Sequence, residues 1–229
     1  MYPSVKAAFR AFNEPFEGVV PWMYLDIKGL VTVGVGNLID PLELAVRLPF
    51  RLRAEPHTAA SPAQIAEEWR RIKGNAALAR AGCRACEPLT ELALDDPGID
   101  ALIAARLAGN EESLKKAASF RQFDAWPADA QLGLLSMAWA LGPGGPPRFP
   151  RFAAACRNLD FAAAVTNCAI DEQGNPGVAA RNHANRTLFQ NAAVVQAGGS
   201  GAGYDPSELH YPVVLAGAQP AHAHDPGKN

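Results

Sequence analysis

The chain has 229 residues, 48% hydrophobic and 19% charged, with a formal net charge of −2. This is globular composition, long enough for one sizeable core or two small lobes, and it excludes a predominantly disordered chain. It also lacks the basic face that binding to nucleic acid needs, so no nucleic-acid partner is expected, and recognition of an anionic polymer must rest on a local site.

Val5, Phe9, Phe12 and Phe16 recur every three or four residues, which predicts a helix over residues 2–16. Pro15 is expected to kink or shorten it, because proline removes a hydrogen bond to the preceding turn. Gly18 is a natural terminator, so Glu17 falls at the C-terminal lip of the helix. The opening "MYPSVKAAFRAFNEPFEG" holds no signal-peptide apolar run, and no stretch reaches bilayer-spanning length. The expectation is synthesis in the cytoplasm without a signal peptide and no stable membrane insertion.

Over residues 23–36 the period becomes two, with Val31, Val33 and Val35 on one face and Thr32, Gly34 and Gly36 on the other. "DIKG" (26–29) predicts the turn between two short strands. Ser61-Pro62-Ala63-Gln64 has the N-cap, N1 and N3 residues of a helix start, and the helix is expected to run to about residue 81, weakened at Gly74. Further helices are predicted at 98–108, 111–118, 127–141, 151–157, 160–169 and 178–190. "GPGGPPRFP" (142–150) is a break, and "AGGSGAG" (197–203) reads as a linker into a flexible Pro/Ala-rich tail. There is no internal repeat.

The four cysteines are Cys83, Cys86, Cys156 and Cys168. The CxxC spacing of Cys83 and Cys86 invites a zinc or redox reading, but no second CxxC or close His pair completes four ligands. Plain thiols and a disulfide remain the two readings. His222 and His224 in the tail are too few for a metal site, so no metal and no cofactor is expected.

The stretch "FEGVVPWMYLDIKGLVTVGVGN" (16–37) places two carboxylates, Glu17 and Asp26, nine residues apart, with Thr32 six beyond. Cleaving a glycosidic bond typically takes a protonated acid at the leaving oxygen and a second carboxylate that handles water or the sugar cation. Burial at a cleft wall can keep such an acid protonated. Glu17 and Asp26 suit the pair, Thr32 can hold a water, and Gly34 and Gly36 would let a sugar approach the backbone. The bland alternative is a solvated helix end followed by an ordinary hairpin turn.

From Glu17 to Gly36 the chain reads E-G-x5-Y-x-D-x-x-G-x-x-T-x-G-x-G. This resembles, without a gap, the catalytic segment of the phage-type lysozymes and endolysins, glycoside hydrolase family 24. "GVAARNHANRTLF" (177–189) is similar to that family's closing segment at Gly177, Arg181, Ala184, Leu188 and Phe189, and departs from it at Asn182 and Asn185. "FDAWPADAQLGLLSMAWALG" (123–142) resembles the core helix of its C-terminal lobe. The resemblance covers roughly residues 1–192 and is weak from 40 to about 120.

The resemblance implies a lysozyme-like, mostly helical α+β fold in two lobes, with the substrate in the cleft between them. The catalytic domain would span 1–195: a small β-hairpin lobe to about residue 60, a bridging helix within 61–81, and a helical lobe over 82–195. The tail would be 196–229. The implied activity is that of a muramidase acting on peptidoglycan, usually described as inverting. Glu17 matches the general acid, Asp26 the carboxylate that activates water or steadies the sugar cation, and Thr32 the hydroxyl that holds the water. Arg181 matches an arginine that orients the acid, and Trp139 a residue lining the sugar cleft, although a tryptophan packed in the core is as natural a reading. Family members commonly carry a histidine where this chain has Asn37, so a neutral hydrogen bond is expected in place of a charged pair. A wall-binding module without turnover and a hydrolase of chitin-like glycans are the alternatives. The setting would be an endolysin released through a holin lesion, or a secreted effector with a secretion spike and an immunity protein, acting as a monomer.

Overall fold

The computed structural model describes residues 1–173, 177–198 and 203–216. Helix α1 (Pro3–Glu17) leads into strands β1 (Val20–Leu25), β2 (Val31–Gly34) and β3 (Asn37–Leu38). One-turn helix α2 (Leu42–Ala45), strand β4 (Arg51–Leu52) and helix α3 (Pro62–Lys73) follow. Two more one-turn helices, α4 (Leu78–Ala81) and α5 (Cys83–Cys86), precede strand β5 (Leu92–Ala93). The rest is helical: α6 (Asp96–Lys115), α7 (Ala128–Leu141), α8 (Pro150–Arg157), α9 (Phe161–Asn167) and α10 (Val178–Gly198). The class is α+β, mostly helical, with small antiparallel sheets. No helix among the described residues is long and apolar enough to cross a membrane.

The chain divides into two compact units, Met1–Phe16 with Leu107–Asn229, and Glu17–Arg106. α3 lies wholly inside the Glu17–Arg106 unit, and the residues of α6 are divided between the two units. α3 also stops at Lys73, because Gly74 caps it and the chain turns again through α4 and α5. α6 is continuous where two helices are expected. Gly109 has open space around it, so its cost is only its propensity, about 1 kcal/mol, which is too little to break a helix of 20 residues.

In the Glu17–Arg106 unit, β1, β2 and β3 form an antiparallel sheet in that order, with Tyr24 opposite Thr32 and Val33 opposite Asn37. Every residue of β2 is buried, so its alternation does not separate a core face from an open one. α3 begins as its sequence predicts. The Ser61 hydroxyl accepts from the Gln64 backbone N–H, and the Gln64 side chain accepts from the Ser61 backbone N–H at 2.9 Å. Two α3 side chains then hold the hairpin in place. Lys73 Nζ donates to the Gly29 carbonyl at 2.9 Å and to the Asp40 carboxylate, while Trp69 Nε1 donates to the Ile39 carbonyl at 3.0 Å.

In the other unit, α7 is buried on all sides from Ala128 to Trp139. It packs against α10 so closely that a Cβ on Gly133 would stand 2.9 Å from the Phe189 ring. The expected flexible tail at 196–229 is corrected for its middle part. Residues 203–216 are strapped to the helices. The Asp129 carboxylate accepts backbone N–H groups of His210 and Tyr211, each at 3.0 Å. Asn191 on α10 donates to the Val213 carbonyl at 2.8 Å and accepts from the Leu215 N–H at 3.0 Å. Burial outweighs these donors and pushes the Asp129 carboxyl above the usual aspartate range. The loop-like composition hides this strap, since its anchors are backbone groups held by distant side chains. His222 and His224 lie outside the described residues.

Candidate functional site

Glu17 closes α1 despite Pro15, which sits inside the last turn. Gly18 follows with φ +69°, a conformation that a glycine adopts without penalty and that stops the helix there. The terminus is at the surface, so Glu17 is exposed. The expected desolvation of this acid is therefore not supplied by burial within the protein.

Asp26 follows β1 and builds the turn. Its Oδ1 accepts the backbone N–H groups of Lys28 and Leu30, both at 2.8 Å, and its backbone carbonyl accepts from Gly29 N–H at 2.9 Å. This is the local turn chemistry that aspartate favours. Oδ2 makes no hydrogen bond among the described residues. The turn reading and the site reading therefore use different oxygens of one carboxylate.

Tyr24 lies two residues before Asp26, on the same side of the strand, and faces Thr32 across the ladder. Its hydroxyl is pushed up to about 12, first by burial and then by the negative charges of Cys83, Glu17 and Asp26, with Arg106 opposing them. The Thr32 hydroxyl donates to the Leu30 carbonyl at 3.1 Å, so a water there could be held only through its lone pairs. Thr32 is 5% exposed, and Gly34 is buried with Leu102 Cδ1 3.7 Å from where its Cβ would be. The expectation that Gly34 and Gly36 leave an open face around Thr32 is thus corrected: only Gly36 is part-exposed. Asn37 Oδ1, 3.3 Å from the Cβ position of Gly34, and Leu102 of α6 together close the face of Gly34.

Gly36 has φ +73°, and a Cβ on it would stand 3.6 Å from Glu17 Oε2 and 3.9 Å from Arg106 Nη1. Arg106 Nη1 donates to the Gly36 carbonyl at 2.9 Å. Asn37 does not make the expected neutral tie through its acceptor. The side chain is 6% exposed, and its Oδ1 is buried without a hydrogen-bond partner among the described residues.

Two residues assigned to the site by resemblance belong to the other unit, and each has a structural position there. Arg181 is 2% exposed. Its Nη1 donates to Asn13 Oδ1 at 3.0 Å, the Ser136 carbonyl at 3.1 Å and the Ser136 hydroxyl at 3.2 Å, and its guanidinium lies 4.8 Å from the Phe16 ring centre. Of the two readings of Trp139, the core one fits its surroundings: it is 2% exposed and packs on Phe9 with ring centres 4.8 Å apart.

The sequence reading assigns no role to Tyr24, Arg106, Asp40 or Lys73. For Tyr24 the signal is present, because strand alternation puts it on the side of Asp26. For the other three, contacts across 33 to 70 residues have no local signature. All four cysteines are free thiols, with Cys83 half-buried and the rest buried. Among the described residues no group of three or more His, Cys, Asp or Glu side chains could hold a metal ion. Compared with models of known protein families and with curated proteins, the chain finds no match.

Proposed function

We propose that the chain is a peptidoglycan hydrolase, a muramidase that cleaves the β-1,4 bond between N-acetylmuramic acid and N-acetylglucosamine. The observation that carries this reading is the run from Glu17 to Gly36, in which Glu17 Oε2 stands beside the Gly36 bend and Asp26, nine residues after Glu17, keeps Oδ2 clear of its own turn. In this mechanism Glu17 protonates the leaving oxygen. Asp26, through Oδ2, takes a proton from water held against Thr32, and the water attacks the opposite face of the sugar, with inversion. Glu17 is exposed in the free protein, so a bound glycan can reach its carboxyl directly.

The lysozyme-like fold belongs to the same proposal, as do the orienting role of Arg181 and delivery either through a holin lesion or by a secretion apparatus. Purified sacculi and chitin, each incubated with wild type and with Glu17→Gln, test the reaction. Fragments of muramic-acid-terminated glycan should appear from sacculi with wild type alone. Equal release by the two proteins would sink the assignment. Release from chitin only would move the substrate to a chitin-like glycan.

A further inference from the structure

α6 presents Leu102 and Arg106 one helical turn apart on the same face. Leu102 Cδ1 lies 3.7 Å from the Cβ position of Gly34, and Arg106 Nη1 holds the carbonyl of Gly36. The helix thus grips the bend between β2 and β3 at two glycines, by packing at one and by a charged hydrogen bond at the other. The second grip is next to Glu17, because Glu17 Oε2 and Arg106 Nη1 both approach the same side of Gly36.

We propose that Arg106 is a positioning residue for Glu17: its guanidinium fixes the Gly36 bend and sets the orientation of the adjacent carboxylate. The proposal rests on the hydrolase reading above and adds to it a residue outside the segment from Glu17 to Gly36. A charged hydrogen bond to a backbone carbonyl is stronger than a neutral one, and the planar guanidinium directs its remaining donors within a fixed plane. Arg106 also contributes the positive charge that opposes Glu17, Asp26 and Cys83 at Tyr24, so it acts on the same cluster from above the bend. A purely structural arginine would hold Gly36 and leave the behaviour of Glu17 untouched.

Three full-length variants separate these cases: Arg106→Ala, Arg106→Gln and Arg106→Lys. On soluble uncrosslinked glycan strands, Arg106→Ala should lower kcat by about tenfold to 100-fold with KM within about twofold, the mark of a misplaced acid. Arg106→Lys, which keeps the charge, should recover most of this, and Arg106→Gln little. An unchanged kcat in Arg106→Ala, or a loss confined to KM, overturns the proposal. Carbon NMR of the Glu17 side-chain carboxyl gives a readout that needs no turnover. Its shift should move in Arg106→Ala and return in Arg106→Lys, with a wild-type circular dichroism spectrum in both. If wild type hydrolyses nothing, the hydrolase reading fails on its own. If the Glu17 signal is unmoved in a folded Arg106→Ala, the positioning role fails on its own.

Discussion

A methyl group added to Gly36 would stand 3.6 Å from Oε2 of Glu17. Ordinary van der Waals contact is thus all that separates the bend from the acid. Gly36→Ala should cost about 1–2 kcal/mol for a side chain at φ +73°. It should also crowd the carboxylate. Gly82→Ala is the control, since it shares a positive φ of +83° but has nothing within 4 Å. Urea melts should show a loss of stability in both variants, while glycan release falls in Gly36→Ala alone. Matching activities would show that the bend does not shape the acid's surroundings.

Gly133→Ala tests the α7–α10 contact. The added carbon would lie 2.9 Å from the Phe189 ring, closer than real side chains pack, so the ring or the helices must shift. A loss of about 1–3 kcal/mol in chemical denaturation is expected. A neutral result would mean that the two helices separate without cost.

Asp129 contributes to the pH dependence of the helical unit with a sign opposite to that of Glu111, Glu112, Asp124 and Asp205, whose carboxyls are lowered. Its carboxyl is raised by burial, so between the ordinary aspartate value of 3.8 and the raised one the folded state holds more proton than the unfolded chain. This contribution to stability is therefore fully present at acid pH and is lost as pH rises through that window. Glu68, also raised by burial, acts with the same sign, so the comparison of variants isolates Asp129. Asp129→Asn should remove the Asp129 share of the slope. It should also leave one backbone N–H of the strap facing an amide NH2, at about 1–3 kcal/mol. Urea melts across acid pH read the first effect, and faster proteolytic cutting within 203–216 reads the second.

Thiol chemistry should distinguish Cys83 from the other three. Burial pushes the thiols of Cys86, Cys156 and Cys168 up, and the thiolate is the reacting form. The native protein should therefore take up a single alkylating group at Cys83, with the rest reacting only after unfolding. Intact mass followed by peptide mapping would check this. Early modification of Cys156 or Cys168 would mean that the helical unit opens readily.

What the sequence made legible was local. The Ser61 to Gln64 box, the Asp26 turn and the helix ending at Glu17 are each built from neighbours within a few residues, and each formed as read. What it left open or missed has a cause of the opposite kind. Trp139 reads the same on a helix with one buried face as on a helix buried all round, and only the neighbouring elements decide which. α6 looks divisible at Gly109, but one residue's propensity is too little to break a helix of 20 residues. Arg106 reaches a carbonyl 70 positions away, and Asn37 is judged by partners that lie elsewhere in the chain.

The strap at 203–216 is tied down through its own main chain: the donors at His210, Tyr211 and Leu215 and the acceptor at Val213 are peptide groups. Its anchors, Asp129 and Asn191, are both fully buried. Evolutionary constraint should therefore fall unevenly. Related chains would be expected to keep the carboxylate and the amide while the exposed letters of the strap drift, because any residue but proline brings the same N–H to the same place.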